Sequence, residues 1–231
     1  MGILQTKSNQ SSLYKAIEQV ERAFSITLGE EQKERLYAYF SLLNQWNKSI
    51  NLTGIKDPKL LVYKHLGDSL LFDKIIPKDV VSLLDIGTGA GIPGLLLKIL
   101  RPELKVVLAE YVKKKCSFLR YAISILGLSD IVVEEKKIGP DNPPIKIDEC
   151  CDGYEVIVSL AAGSLKWLLE ISSPFLSSSG EIIALKGPSV YKELPSAKQT
   201  ALSMGLNMEL DELTLPILKH KRVAVIFRKA T

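Results

Sequence analysis

The chain has 231 residues, of which 46% are hydrophobic and 24% charged, with 30 basic and 26 acidic side chains. A chain of this length can form one large domain, or a domain with an appendage, without disulfides or a metal. The composition excludes a disordered chain, and no uncharged apolar run approaches the roughly 20 residues of a membrane span. The three cysteines lack metal-site spacing and the first residues lack a secretory apolar segment. We therefore expect a cytoplasmic protein without metal or membrane attachment.

The net charge of +4 is unevenly distributed along the chain. Residues 98–137 hold nine basic and five acidic groups, and residues 138–217 hold five and eleven. Residues 218–231 add five basic groups, so two basic segments flank an acidic one. Solvated surfaces commonly carry such charges, so the pattern alone identifies no partner.

The first 77 residues have helical periodicity. Residues 13–24 form one amphipathic segment, and Thr27 to Glu30 has the spacing of a capping box, which predicts a helix start. The apolar residues that follow lie on one helical face: Leu36, Phe40, Leu43 and Trp46. We expect an N-terminal helical region over residues 1–77 that packs on a core formed by residues 78–231.

From Val80 onward, short aliphatic runs alternate with helical stretches. Such runs are typical of strands in a parallel sheet with helices on both faces. The last two runs are joined by a loop too short for a helical crossover, which predicts an antiparallel pair. The predicted strands are 80–84, 105–109, 131–133, 156–158, 181–185, 208–215 and 223–227, and the predicted helices are 92–101, 112–126, 163–172 and 189–204.

A glycine-rich turn follows the first predicted strand. It runs from Asp85 to Gly94 and contains Gly87, Gly89 and Gly91. Glycines let the backbone turn sharply and approach a ligand closely. Glu110 ends the next strand, where a carboxylate can accept hydrogen bonds from the two hydroxyls of a ribose. The sequence therefore predicts a nucleoside-binding site at the carboxyl ends of the first two strands.

Two nucleoside cofactors are compatible with this turn. Gly89 to Gly94 matches the dinucleotide fingerprint, which would fit an NAD-dependent oxidoreductase. S-adenosylmethionine is favoured because the turn also reads Asp-x-Gly-x-Gly-x-Gly, with Asp85 placed where the ligand's ammonium group could lie. The antiparallel pair also matches the reversed last strand of class I methyltransferases. We expect an α/β, Rossmann-like fold with a seven-stranded, mostly parallel sheet, a reversed last strand and added N-terminal helices.

Further blocks make the chain resemble the glucose-inhibited division protein B family. These bacterial enzymes use S-adenosylmethionine to methylate N7 of a guanine in small-subunit (16S) ribosomal RNA. The resemblance covers most of the chain and implies 16S ribosomal RNA or the small ribosomal subunit as partner. It rests on residues 46–53, 65–70, 85–94, 114–115, 118–120 and 184–187.

The resemblance implies particular cofactor contacts and exposes one departure. Contacts are implied for Gly87, Ile92, Glu110 with Tyr111, and the Ile138-Gly139 step that would flank the adenine. Ile92 stands where the family usually has Phe or Leu. Leu160 stands in Ser159-Leu160-Ala161 where the family has arginine, thought to lie between cofactor and RNA. Leucine cannot replace a planar cation, so a class I methyltransferase with a different substrate remains an alternative.

Guanine N7 carries a free lone pair at neutral pH, so its methylation needs positioning rather than a general base. This agrees with the absence from the sequence of an evident Ser-His-Asp or Cys-His arrangement. Cys116 is interpreted as a buried structural thiol. His65 and Asp68 are interpreted as a polar pair that joins the N-terminal helices to the sheet. A non-enzymatic RNA-binding module is a further alternative, but it would leave the cofactor turn without a use.

Duplex RNA hides guanine N7, so we expect a loop or flipped base as substrate. We expect a monomer with a basic rim at the carboxyl edge of the sheet, built from residues 113–120, 136–137 and the loop 219–222, with the acidic segment elsewhere. Trp46, Tyr63 and Tyr111 could stack on the base, although Trp46 is more compatible with the core. The candidate RNA-binding residues are Asn51, Lys64, Lys113, Lys114, Lys115, Arg120, Lys186, Lys221 and Arg222.

Overall fold

A computed structural model describes residues 2–145 and 152–229, with side chains from residue 12 onward in these ranges. Cys150 and Cys151 lie outside the described residues. The helices are α1 (Gly2–Phe24), α2 (Glu30–Ile50), α3 (Pro58–Ile75), α4 (Gly94–Leu100), α5 (Lys113–Leu126), α6 (Leu165–Ser172) and α7 (Leu194–Ser203). The strands are β1 (Ser82–Ile86), β2 (Lys105–Glu110), β3 (Ile131–Glu135), β4 (Tyr154–Leu160), β5 (Leu176–Lys186), β6 (Leu206–Thr214) and β7 (Lys221–Lys229).

The described strands form one sheet in the order β3-β2-β1-β4-β5-β7-β6. The pairs among β1 to β5 are parallel, whereas β7 is antiparallel to both β5 and β6. The predicted fold, a mostly parallel sheet with a reversed last strand, is confirmed. The parallel strands, including β6, end at one edge of the sheet, which we call the carboxyl edge. Because β7 is reversed, it begins at this edge.

The sheet is apolar on both faces, which explains the near-continuous aliphatic runs of its strands. All five residues of β1 are buried. Leu83 belongs to the apolar cluster on one face, and Leu84 to the cluster on the other, as the two-residue period of a strand requires. Such two-sided burial needs helices on both faces, and the connections between parallel strands supply them.

Helices α1 to α3 pack on one face of the sheet. Leu36 and Phe40 of α2 belong to the same apolar cluster as Leu83 of β1. Trp46 is half-buried, and its ring centroid lies 5.7 Å from that of Phe118 and 5.5 Å from that of Tyr121. Trp46 therefore packs against the apolar core without being enclosed by it. No helix in the described part of the chain is both long and apolar enough to span a membrane.

The predicted helix boundaries needed two corrections. The capping box at Thr27 is wrong, because α2 begins at Glu30 and the side-chain Oε1 of Gln32 accepts from the Gly29 amide at 2.8 Å. The preceding residues stay outside the helix, since Leu28 is buried and its amide donates to Glu21. The predicted helix 189–204 is divided into a 3-10 turn, Pro188–Lys192, and α7. Pro195 lies in the first turn of α7, where proline is tolerated.

Candidate functional site

The glycine turn links β1 to α4 at the carboxyl edge. Gly87, Gly89 and Gly91 have φ values of +73°, +61° and +91°, in the left-handed region that favours glycine. The Thr88 carbonyl accepts from the amides of Gly91 and Ile92 at 3.0 Å, which closes the turn. The amides of Gly87 and Thr88 donate to the Ala109 carbonyl and fasten the turn to β2.

Asp85 organises the turn from beneath. Its side chain is fully buried, and Oδ2 accepts from the Thr88 hydroxyl at 2.6 Å and from the Gly94 amide at 2.8 Å. Among the described residues, no group donates to Oδ1. Burial raises the pKa of Asp85 to about 7, although the Thr88 and Gly94 donors oppose the rise. Sequence reasoning assigned Asp85 to the ligand's ammonium group and missed this structural role, which Thr88 could have signalled.

The structure brings Glu110 and the glycine turn together, as the sequence predicted. The Gly89 amide donates to Oε2 of Glu110 at 3.2 Å. Oε1 accepts from the amides of Tyr111 and Val112 at 2.9 and 2.8 Å, so the carboxylate is fixed in orientation. Lys115 Nζ lies 3.8 Å from Oε2. A fixed carboxylate beside an open glycine turn is the arrangement that binds a ribose.

The residues after β3 lie beyond Glu110 at the same edge. Ile138 is buried, and Gly139 exchanges two backbone hydrogen bonds with Asn142. A Cβ at Gly139 would meet no atom within 4 Å. Tyr111 is 61% exposed, and the Lys137 ammonium lies 5.1 Å from the centre of its ring. An open turn, a fixed carboxylate and an apolar residue fit a nucleoside cofactor.

Leu160 ends β4 on the other side of the turn. It is half-buried and packs against the main apolar cluster. The loop after it touches the turn, since a Cβ on Gly87 would lie 2.9 Å from that of Ala162. Lys186 holds this loop: its Nζ donates to the Gly163 carbonyl at 2.7 Å and lies 2.9 Å from both carboxylate oxygens of Glu193. The Lys186 ammonium is thus engaged within the protein.

Side chains of α2 and α3 contact the segment that joins these two helices. The side-chain amide of Asn47 accepts a hydrogen bond from the backbone amide of Thr53 and donates one to the carbonyl of Ile55, both at 2.8 Å. Asn51 is exposed with φ +46°, and Thr53 Oγ1 lies 3.3 Å from Nε2 of His65. Burial lowers the pKa of His65 to about 3, with help from the Lys64 charge. His65 is therefore a structural residue, but it contacts Thr53 and not Asp68, and no group among the described residues bonds its Nδ1, so the predicted polar pair with Asp68 is wrong. Lys64 beside it is half-buried.

The candidate RNA-binding lysines and arginines differ in whether they form ion pairs within the protein. Lys113 and Lys114 are exposed at the start of α5, whereas Arg120 lies 2.7 Å from Glu135. Lys221 and Arg222 were assigned to a loop, which is wrong, because both pair with β6 within β7. Arg222 forms an ion pair with Asp68 of α3, so Asp68 joins the N-terminal helices to the sheet as predicted.

The expectation that the acidic segment lies away from the carboxyl edge is wrong. Asp211 and Glu212 are exposed near the end of β6, opposite Ala224 and Val223 of β7. Because β6 runs parallel to β5, these carboxylates lie towards the carboxyl edge. The rim is therefore basic beside β2 and β3, whereas beside β6 and β7 it carries the exposed lysines Lys219 and Lys221 as well as Asp211 and Glu212.

Two further expectations concern reactive groups. Cys116 is fully buried, its thiol lies 3.2 Å from the Glu110 carbonyl, and burial raises its pKa, which confirms a structural thiol. Within residues 2–145 and 152–229, no group of three or more His, Cys, Asp or Glu side chains could hold a metal ion.

Sequence comparisons identify related proteins. The family model for GidB, described as rRNA small subunit methyltransferase G, matches residues 32–219. The "Ribosomal RNA small subunit methyltransferase G" of Acetivibrio thermocellus is 36% identical over 211 residues, which cover 89% of this chain and 84% of the relative. The protein of the same description from Pelotomaculum thermopropionicum is 36% identical over 224 residues, covering 95% and 91%.

Solved structures with low sequence identity share the fold. A methyltransferase from Pyrococcus furiosus superposes with a TM-score of 0.58 at 21% identity, covering 83% of this chain and 97% of its own. A SAM-dependent methyltransferase from Aquifex aeolicus gives a TM-score of 0.53 at 17% identity, with 77% and 97% covered. Both likenesses agree with the sheet order and the reversed strand.

Proposed function

The chain belongs to the GidB family of small-subunit ribosomal RNA methyltransferases, and on that premise we propose that it methylates N7 of a guanine in 16S ribosomal RNA with S-adenosylmethionine. The observation that carries the proposal is the meeting of the glycine turn with Glu110 at the carboxyl edge. The NAD-dependent alternative is set aside, because the reversed β7 and the family both indicate a methyltransferase.

The proposed cofactor site lies along the ends of β1, β2, β3 and β4. Glu110 would accept hydrogen bonds from the ribose, while Ile138 and Gly139 would flank the base and Tyr111 would close the exposed side. The turn from Gly87 to Ile92 would approach the amino-acid end, where Asp85 Oδ1 is the buried acceptor beneath it. When bound, S-adenosylmethionine supplies an electrophilic methyl group on a sulfonium centre.

Methyl transfer to N7 asks the protein to orient two partners. The lone pair of N7 is free at neutral pH, so no side chain has to remove a proton. This fits the site carboxylates, since Asp85 is buried beneath the turn and Glu110 is held in one orientation by the backbone amides of Gly89, Tyr111 and Val112, as binding groups would be. His65 is buried and uncharged at neutral pH, which fits an anchoring role rather than acid–base chemistry.

The proposed RNA surface borders this site. Lys113 and Lys114 are exposed at the start of α5, three and four residues after Glu110, and Asn51 is exposed directly after α2. Lysines contact phosphates without reading sequence, so shape and the reach of Asn51 would select an unpaired guanine. We place the enzyme in the cytoplasm with its RNA, as a monomer whose N-terminal helices and sheet fold together.

A class I methyltransferase with another substrate is the second candidate, and Leu160 is the observation that favours it. The family resemblance places an arginine there, between cofactor and RNA. Leu160 offers no hydrogen-bond donor, and the nearby cations Lys186 and Arg222 are both held in ion pairs.

Methylation of RNA distinguishes the two candidates. Small subunits from cells that lack the gene would be incubated with the protein and labelled S-adenosylmethionine, and the 16S RNA digested and analysed by mass spectrometry. We expect one labelled 7-methylguanosine. The protein should form it with Leu160 in place, without a Leu160→Arg substitution. Cofactor binding without any label in the RNA would favour the second candidate.

A further inference from the structure

Tyr39 of α2 reaches the cofactor turn from the N-terminal helices. Its hydroxyl donates to the carbonyl of Ala90 at 2.8 Å, across 51 residues of sequence. Ala90 lies between Gly89 and Gly91, at the centre of the turn. The backbone hydrogen bonds of the turn and of the α4 start use the carbonyls of Thr88 and Gly91, so the Ala90 carbonyl between them is available to a donor from α2.

The hydroxyl of Tyr39 is fixed by the packing of its ring. The side chain is fully buried, and its ring centroid lies 5.1 Å from that of Phe40 in an edge-on arrangement. The ring centroid of Phe118, in α5, lies 6.3 Å from that of Tyr39. Burial raises the pKa of the Tyr39 phenol, so the group keeps its proton and acts as a donor at any working pH.

The course of α2 explains why a residue in its middle meets the turn. Near its start, the side chain of Gln32 donates to the carbonyl of Leu100, at the end of α4 and the amino edge of the sheet. The helix then crosses the sheet and ends in the segment held by Asn47. Tyr39 lies between these points, at the level of the glycine turn.

A turn with three left-handed glycines has more freedom to lose than ordinary backbone. In the free protein, contacts that hold it in one conformation reduce the ordering cost of ligand binding. Asp85 holds the turn through Thr88 and Gly94, which are both outside the Gly89–Ile92 stretch. We infer that Tyr39 is a positioning residue for the cofactor, which preorganises the centre of the turn through Ala90. This inference rests on the proposed cofactor site.

The test compares Tyr39→Phe with Tyr63→Phe. Each change removes one phenolic oxygen and keeps the ring. Tyr63 donates to Gln19 between α3 and α1, so it controls for loosening of the N-terminal helices without a contact to the turn. Calorimetry with S-adenosylhomocysteine measures affinity, and amide hydrogen exchange of the ligand-free proteins measures the order of the turn.

For Tyr39→Phe we expect the dissociation constant to rise roughly five- to tenfold, with faster exchange at the amides of Gly89, Gly91 and Ile92. In steady-state assays, KM for the cofactor should rise while kcat stays close to that of the wild type. Tyr63→Phe should leave affinity and turn exchange unchanged. Unchanged affinity and exchange in Tyr39→Phe, or equal losses in both variants, would overturn the inference. A wild-type protein that does not bind S-adenosylhomocysteine would instead overturn the proposed function, and the exchange data would then show only whether Tyr39 orders the turn.

Discussion

Arg222 of β7 donates two parallel hydrogen bonds to the buried carboxylate of Asp68 in α3. Its Nε lies 2.8 Å from Oδ1, and its second terminal nitrogen lies 3.2 Å from Oδ2. The Asp68 side chain is 1% exposed and that of Arg222 is 13% exposed. A bidentate pair at such depth fixes both side chains, so Arg222 fastens the N-terminal helices to the reversed strand.

Removing this arginine should destabilise the protein strongly. Arg222→Met would leave the Asp68 charge buried and unpaired, and we expect the free energy of unfolding to fall by about 3–5 kcal/mol. Urea denaturation measures the change. The double variant Asp68→Asn with Arg222→Met should recover much of the loss, because no uncompensated charge remains. If the free energy of unfolding fell by less than about 1 kcal/mol in the single variant, the pair would contribute little to stability.

A methyl group on Gly89 should separate backbone strain from ligand exclusion. Gly89 and Gly127 have nearly equal φ values of +61° and +59°. A Cβ on Gly89 would lie 3.9 Å from the Gly87 carbonyl, and one on Gly127 would meet nothing within 4 Å. We expect each alanine variant to lose about 1–2 kcal/mol of stability from the left-handed backbone. Only Gly89→Ala should also weaken S-adenosylhomocysteine binding, by more than tenfold in calorimetry. Equal binding by both variants would place the cofactor away from the turn.

Two buried groups should give the stability opposite pH dependences. The folded pKa of His65, about 3, is below its ordinary 6.5, so the unfolded chain binds more protons and stability falls as pH decreases from about 6.5 to 3. The folded pKa of Asp85, about 7, is above its ordinary 3.8, so stability falls as pH increases from about 4 to 7. The two slopes oppose each other where the windows overlap.

Single variants should therefore reveal slopes that the wild type hides. Between pH 4.5 and 6, we expect the unfolding free energy of Asp85→Asn to rise with pH by up to about 1.4 kcal/mol per unit, and that of His65→Gln to fall by a similar amount. Urea denaturation at several pH values measures both. The double variant should be nearly flat again. Parallel slopes in all four proteins would mean that neither group is shifted as described.

The basic rim should bind RNA through its exposed members. Lys113→Ala with Lys114→Ala should weaken RNA binding and reduce the slope of log affinity against log salt by about 1.4, the value for two single-strand phosphate contacts. The matched control is Lys74→Ala with Lys78→Ala, which removes the same charge near the amino edge. Filter binding across salt concentrations measures both pairs, and calorimetry should find cofactor affinity unchanged. Equal effects of the two pairs would indicate net charge alone.

Local sequence patterns predicted the central strands well, because β1, β2 and β4 are buried on both faces. The same patterns located the turn, since Gly87 to Gly91 and Glu110 occupy fixed places relative to their strands. Helix starts were harder, because Gln32 rather than Thr27 supplies the bond at the start of α2. A sequence shows charges but not their partners. Lys186 and Arg222 were therefore predicted to contact RNA, although they form ion pairs with Glu193 and Asp68. The Tyr39–Ala90 bond joins distant segments and leaves no local trace.

The shared core has a consequence for synthesis on the ribosome. The apolar face of α2, with Leu36, Phe40 and Leu43, packs in one cluster with Leu96 of α4 and Phe118 of α5. All of α2 is therefore made before the α4 and α5 residues that pack on it, and about 70 further residues must emerge before Phe118 does. Until then the part of α2 that α4 and α5 cover stays exposed on the nascent chain, and exposed apolar surface of this kind is what chaperones bind.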